Sequence, residues 1–216
     1  MSERVADDGL ILYIGSKSYS SWSLRPWLTL KQAGAAFSEM KIALHRPDTE
    51  ERVRAVSPSG YVPLLKEGGL LVWGSLSICE YVAERFPAAG LWPADRAARA
   101  VARSVSAEMH AGFPELRKHL SFNCRTRLPG FQVPSEARED ADRVLTLWTD
   151  LRARFGKEGP FLFGSFSVAD AMYAPVVLRF QTYDVKLEGA SAAYASAVLE
   201  LPAVRQWIAE ARLETE

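Results

Sequence analysis

Cysteine is almost absent from this sequence. Cys79 and Cys124 are the only two in 216 residues, and they form no CxxC pair and no Cys/His cluster spaced for zinc. A disulfide scaffold and a structural zinc site are excluded, and a reducing cytoplasm is the expected setting. Long apolar runs are missing too: no stretch approaches the roughly 20 residues a membrane helix needs. The opening MSERVADDGLILYIG holds only a short apolar segment after two aspartates, so a soluble chain without a signal peptide is expected. Nor is there a charge of one sign. Lys+Arg and Asp+Glu both number 26, which argues against a nucleic-acid binder held by phosphate contacts.

A globular composition remains, 48% hydrophobic and 24% charged. The first seven or eight residues are polar and expected to fray. LILYI at 10–14 reads as a buried strand ending at Gly15. A serine-rich loop follows and feeds a helix with Leu24, Trp27, Leu28 and Lys31 at helical spacing, capped by Gly34. Pro26 is expected in its first turn, where N–H groups have no intrahelical partner. FSEMKIAL at 37–44 predicts a second strand with Met40, Ile42 and Leu44 on one face, and 48–56 predicts a short polar helix. YVPLL and LLVWG flank a KEGG turn, and SLSICEYVAERF at 75–86 places Ile78, Val82 and Phe86 on one helical face. Cys79 on that helix reads as a small core residue.

The predicted order is therefore βαβαββα over residues 1–86. After the linker 87–95, PAAGLWPAD, residues 96–216 carry almost no strand signal, and helices are expected at about 95–120, 135–155, 167–180, 191–200 and 202–212. Ser167 and Asp170 have capping-box spacing. Trp73, Trp92, Trp148 and Trp207 read as core and domain-interface packing.

Three points in the first unit suit an anion or a peptide. The run Tyr19-Ser20-Ser21-Trp22-Ser23 puts hydroxyls at a strand-to-helix junction, where free N–H groups and the helix dipole favour negative charge; plain capping explains the serines equally well. Val62-Pro63 follows the SPSG turn, and a cis bond there would turn backbone groups toward an extended ligand, whereas most X-Pro bonds are trans. Ser75 opens the next helix and reads as its cap, with free N–H groups beside it. Each signal has an ordinary structural explanation; all three fall at ends of successive elements of one unit.

Taken together, these motifs resemble the glutathione transferase family. Residues 10–92 are similar to its thioredoxin-like α/β domain and residues 93–212 to its all-α helical domain, and FGSFSVAD at 163–170 is similar to its folding signature. SSWSLR resembles the SSCSWR of the zeta-type, serine-using members. The resemblance implies that Ser20 donates to the glutathione thiolate, with Ser21 beside it; a theta-type spacing counted back from Arg25 would choose Ser21 instead. It also implies that Val62, before a cis Pro63, pairs with the cysteinyl amide and that Ser75 holds the γ-glutamyl carboxylate. Tyr13 and Tyr19 are alternative donors, Tyr13 reading as core. His110, Phe113 and Asn123 would wall the electrophile pocket.

Glutathione is thus the implied co-substrate, no metal is expected, and the implied partners are a small electrophile and a second copy of the chain in a homodimer. The implied reaction is conjugation or a zeta-like isomerisation. Gly74 stands where the family usually has an acidic or amide side chain, and Tyr61 where many relatives are polar or basic. Gly74 favours the alternative, a transferase-like ligand carrier or assembly module with weak turnover. Residues 96–127 hold seven basic and two acidic side chains, a surplus that would draw small anions if it borders the cleft.

Overall fold

The computed structural model describes residues 9–215; the polar start expected to fray lies outside the described residues. Strand β1 (Leu10–Gly15) runs centrally, parallel to β2 (Phe37–Ile42) on one side and antiparallel to β3 (Leu64–Glu67) on the other, with β4 (Leu70–Trp73) completing the order β2-β1-β3-β4. Gly68 and Gly69 make the tight β3–β4 turn. Helices α1 (Ser21–Gln32), α2 (Thr49–Arg54) and α3 (Ser75–Arg85) connect and cover the strands.

A 3-10 turn at Pro87–Ala89 leads to the helical part: α4 (Arg96–Ala111), α5 (Pro114–His119), α6 (Ser135–Phe155), α7 (Val168–Thr182), α8 (Gly189–Glu200) and α9 (Pro202–Arg212). None of the described helices is long and apolar enough to cross a membrane. This is an α/β unit followed by an all-helical one. Their cores merge, because α1 packs on both α7 and α9. Leu24, Trp27 and Leu28 belong to the same buried cluster as Met172, Val176 and Trp207.

Several local expectations are corrected. The long helix expected from 95 to 120 is broken at Gly112-Phe113-Pro114. Phe113 takes a left-handed conformation (φ 62°), and a Cβ on Gly112 would lie 2.8 Å from the Glu108 carbonyl oxygen. Pro114 then starts α5, since it lacks only an N–H that a first turn leaves unpaired anyway. Helix α1 begins at Ser21, earlier than its apolar spacing indicates, so Pro26 sits in the second turn and forfeits a bond to the Trp22 carbonyl.

Met40 is exposed because β2 is an edge strand, while Ile42 is buried. Trp148 and Trp207 are fully buried, but Trp73 at the far edge is 48% exposed. Tyr13 is half-buried rather than core. Cys79 lies in the core, where burial pushes its thiol up to about 12.

The start of α7 is fixed by the capping box. The Asp170 carboxylate accepts the Ser167 N–H (2.8 Å), the Ser167 hydroxyl (2.9 Å) and the Leu162 N–H (3.0 Å), all buried. Burial pushes this carboxyl up to about 6. The folded chain therefore keeps a proton that the unfolded chain, titrating near 4, has released. Asp170's contribution to stability falls as pH rises from about 4 to about 6 and is smallest above that window. Asp170→Ala should cost about 3 kcal/mol, a fall in Tm of about 6–12 °C. The deficit, followed by calorimetry, should be larger at pH 4 than at pH 7.

Candidate functional site

The serine loop between β1 and α1 is buried, and the hydroxyls of Ser20 and Ser23 are in hydrogen-bond contact. Ser23 Oγ accepts the Gly15 N–H at 3.0 Å and lies 2.7 Å from Ser20 Oγ, which also accepts the Ser23 N–H at 3.3 Å. Ser20 is the N-cap of α1, so its oxygen sits at the positive end of the helix dipole. It lines a cavity of about 710 Å³ together with Tyr19, Trp22, Arg46, Tyr61 and Val62. Ser21 is one residue further round the helix and does not line that cavity. Its hydroxyl faces the helical unit and accepts from Arg179 Nη2 at 3.3 Å. The two neighbouring serines therefore have different surroundings.

A second cavity, about 330 Å³, shares Trp22, Tyr61 and Val62 with the first and adds Pro63, Trp73, Gly74, Ser75 and His110. The Val62–Pro63 bond is cis, and Val62 lies just outside the paired register of β3. The cap of α3 is Gly74 (φ 84°), not Ser75, which is the first helical residue. Ser75 is 1% exposed, and its hydroxyl has no partner. His110 packs edge-on against Trp22 with ring centroids 5.3 Å apart, and its Nδ1 is buried without a partner. Phe113 is packed in the core, and Asn123 turns its Oδ1 to the Arg125 N–H (3.1 Å); neither lines the two cavities. Tyr19 lines the larger one, and its hydroxyl accepts from Arg125 Nη2 at 2.7 Å.

Three arginines, Arg25, Arg117 and Arg179, lie close enough to repel one another, two of them against Trp22. Arg25 and Arg117 lie 4.3 Å and 4.7 Å from the centroid of its ring. Arg25 Nε donates to the Met172 carbonyl, Arg117 to the Gly112 and Met109 carbonyls, and Arg179 to the Leu120 carbonyl. Among the described residues none of the three makes a salt bridge, and Arg25 Nη1, in a residue 1% exposed, has no partner. Burial first, then repulsion from Arg117 and Arg179, lowers the Arg25 pKa, and burial brings Arg179 down to about 10. His110 is lowered too, by burial and then by Arg25 and Arg117. The result is a positive potential that only Asp140, acting on Arg117, offsets.

The basic surplus of residues 96–127 is mostly spent elsewhere: Arg103 pairs with Glu80 and Lys118 with Glu115, while Arg117 and Arg125 reach the site. Sequence reasoning missed three contributors. Arg179 carries a readable signal, as the one cation in the buried run of α7. Lys17 and Glu214 carry none, because their partners are remote in sequence. Glu214 accepts the Lys17 N–H (2.8 Å), the Ser18 N–H (2.9 Å) and the Ser18 hydroxyl (2.7 Å), tying the C-terminal segment to the serine loop. Lys17 Nζ, in a residue 5% exposed, pairs with Glu39 (2.6 Å) and Glu210 and lies over the rings of Trp27 and Trp207. No group of His, Cys, Asp and Glu among the described residues is placed to hold a metal ion.

Comparison with known proteins gives two family matches. The glutathione S-transferase N-terminal domain matches residues 19–85, and the glutathione S-transferase C-terminal domain matches residues 94–210. Maleylacetoacetate isomerase of Rattus norvegicus is 32% identical over 110 residues, 50% of this chain and 50% of that protein. The chain thus spans about half the length of the curated relatives it first matches. Among solved structures, a glutathione transferase homolog from Burkholderia with bound glutathione superposes with a TM-score of 0.71 at 24% identity, over 94% of this chain and 97% of that one. A holo maleyl pyruvate isomerase, a bacterial zeta-class protein, gives a TM-score of 0.74 at 21% identity, over 95% and 100%. These two likenesses show the fold.

The Glu214 anchor is directly testable. Glu214→Ala leaves two backbone donors of the serine loop without their acceptor and the Ser18 hydroxyl with only the Ala211 carbonyl, and should cost about 2–3 kcal/mol. Hydrogen exchange should speed up at the amides of Lys17 and Ser18 while that of β1 stays slow.

Proposed function

Because this chain belongs to the glutathione S-transferase family, we propose that it binds glutathione along the two joined cavities and activates the thiol with Ser20. The observation that carries the reading is the hydroxyl relay. Ser23 Oγ is already an acceptor for the Gly15 N–H, so its hydrogen can go to Ser20 Oγ, 2.7 Å away. Ser20 then accepts from Ser23 twice, and its own hydrogen is left for a ligand in the cavity it lines. A thiolate there gains a hydroxyl donor and the α1 dipole, and the positive charge of Arg25 and Arg179 favours it further. The hydroxyl of Ser21 is engaged by Arg179 instead.

In this reading Val62 offers its backbone to the cysteinyl amide, and the unpartnered Ser75 hydroxyl takes the γ-glutamyl carboxylate. The sulfur attacks an electrophilic carbon, forming a C–S bond while either a leaving group departs with its bonding pair or the attacked double bond gives its π pair to an adjacent carbonyl. Conjugation ends with that departure, or with a solvent proton taken up by the adduct. Isomerisation of a double-bonded diacid adds a rotation about the resulting single bond and expulsion of glutathione, which breaks the C–S bond again. The positive potential under Trp22 favours an acidic electrophile.

The protein works in this reading as a homodimer in the cytoplasm. Buried, unpaired Cys79 and Cys124 suit a reducing compartment, and the exposed aromatics Tyr61 (76%) and Trp73 suit an interface with a second copy. Gly74 favours a second reading, in which ligand is held but turned over weakly.

Two outcomes separate these. Saturating glutathione at about 100 times Kd should stabilise the fold by about 2.7 kcal/mol, seen as a rise in Tm; no rise at millimolar glutathione would remove both glutathione readings. Ser20→Ala should then lower kcat by about 10²-fold with little change in glutathione Kd, because the hydroxyl acts on the sulfur and not on the peptide frame. A wild-type kcat no higher than that of the variant would favour the carrier.

A further inference from the structure

We propose that Glu214 is a positioning residue for Ser20: its carboxylate fastens the serine loop so that the Ser20 hydroxyl faces the thiol of bound glutathione. The inference rests on the serine-thiolate reading above. It starts from where the hydrogen bonds of the loop go. The Ser16 carbonyl accepts the Tyr19 N–H (3.1 Å) and the Ser20 N–H (2.8 Å), closing residues 16–20 into a turn whose last member is the cap of α1. Lys17 and Ser18 form the middle of that turn and are buried, and all four of their backbone polar groups bond to the helical unit. The Lys17 carbonyl accepts from Trp207 Nε1 (2.9 Å) and the Ser18 carbonyl from the Cys124 N–H (3.3 Å). The two N–H groups share one acceptor side chain: that of Lys17 donates to Glu214 Oε1 at 2.8 Å and that of Ser18 to Oε2 at 2.9 Å.

Two N–H groups held by the two oxygens of one planar group fix the orientation of the turn as well as its distance. The carboxylate is itself held: its side chain is 5% exposed, accepts the Ser18 hydroxyl (2.7 Å) and lies 3.3 Å from Lys41 Nζ. The Glu214 carbonyl accepts from Arg125 Nη1 (2.9 Å), and Arg125 Nη2 donates to the Tyr19 hydroxyl (2.7 Å). Residues 17, 18 and 19 are thus tied to Glu214, directly or through Arg125, immediately ahead of Ser20. Without the carboxylate, two buried N–H groups lose their acceptor, and the turn must shift or admit water to satisfy them. A shift there reaches Ser20 through the bonds to the Ser16 carbonyl, and misplacing a reacting group by about 1 Å is enough to slow a reaction severely. Glu214 lines neither the 710 Å³ nor the 330 Å³ cavity, so it acts through the loop and not on the ligand. Val62 and Ser75, read as holding the peptide frame of glutathione, stand beside β3 and on α3, outside this network.

The sign of one measurement separates positioning from plain electrostatics. Removing a negative charge favours a nearby thiolate and lowers its thiol pKa, whereas a displaced Ser20 hydroxyl raises it. Thiolate absorbance of the glutathione complex is titrated against pH for the wild type, Glu214→Ala, Glu214→Gln, Ser20→Ala and the variant carrying both Ser20→Ala and Glu214→Ala. Asp170→Ala serves as a variant destabilised at the α7 cap, and every protein is measured at a temperature where circular dichroism shows it folded. Glu214→Ala should raise the bound thiol pKa toward that of free glutathione, lower kcat about tenfold and change glutathione Kd by less than about twofold. Glu214→Gln removes the same charge but keeps one acceptor oxygen, and should raise the pKa less. In the Ser20→Ala background Glu214→Ala should add nothing, because it acts through Ser20. Asp170→Ala should keep the wild-type thiol pKa. A pKa unchanged or lowered in Glu214→Ala, an equal rise in Asp170→Ala, a full Glu214 effect in the absence of the Ser20 hydroxyl, or a loss carried by Kd alone would overturn the assignment. A wild type that binds no glutathione, or whose bound thiol pKa Ser20→Ala leaves in place, would instead bring down the reading on which it rests.

Discussion

A single buried cation holds this molecule together at its functional end. Lys17 lies inside the seam between the sheet unit and the last helix, with the rings of Trp27 and Trp207 about 5 Å from its ammonium and Glu39 and Glu210 as its counter-charges. A buried charge is tolerated only where it is paired, so the loop carrying Lys17 cannot leave the seam without a large penalty. The next three residues inherit that constraint. Ser18 is pinned by Glu214 and the Ala211 carbonyl, Tyr19 by Arg125, and Ser20 follows as the cap of α1. A serine at a helix start is common; one that follows a loop held by partners nearly two hundred residues away in sequence is a positioned group.

Charge explains the division of labour around Trp22. Its ring lines both cavities, and beside it lie Arg25 and Arg117, which mostly spend their donors on backbone carbonyls. Carbonyls satisfy the hydrogen bonds of a guanidinium but do not neutralise it. The field therefore survives for whatever anion enters above. A glutathione molecule brings two kinds of anion to this region, a thiolate and carboxylates, and the arrangement of Ser20 at one cavity and Ser75 at the other matches that pairing.

Much of the fold was legible because its signals are local. The period of Ile78 and Val82 marked the buried face of α3, and the spacing of Ser167 and Asp170 marked the start of α7. The break at Gly112-Phe113-Pro114 was also written in the sequence, but the amphipathic pattern on either side of it continues smoothly enough to read as one helix. The site was legible as a set of element ends and no further. Ser20 and Ser21 are indistinguishable by composition; what separates them is a rotation of about 100° between the cap and the first helical residue, which turns one hydroxyl to the cavity and the other to Arg179. The approach of Arg25, Arg117 and Arg179 joins residues of α1, α5 and α7 that are far apart in the chain, and no spacing announces it.

The central claim is that Ser20, and not its neighbour, makes bound glutathione a thiolate. Ultraviolet thiolate absorbance of the glutathione complex, titrated against pH for the wild type, Ser20→Ala and Ser21→Ala, tests it most directly. The account predicts a thiol pKa well below that of free glutathione in the wild type, a return toward the free value in Ser20→Ala, and little change in Ser21→Ala. A pKa that Ser20→Ala leaves in place, or that only Ser21→Ala raises, would contradict it.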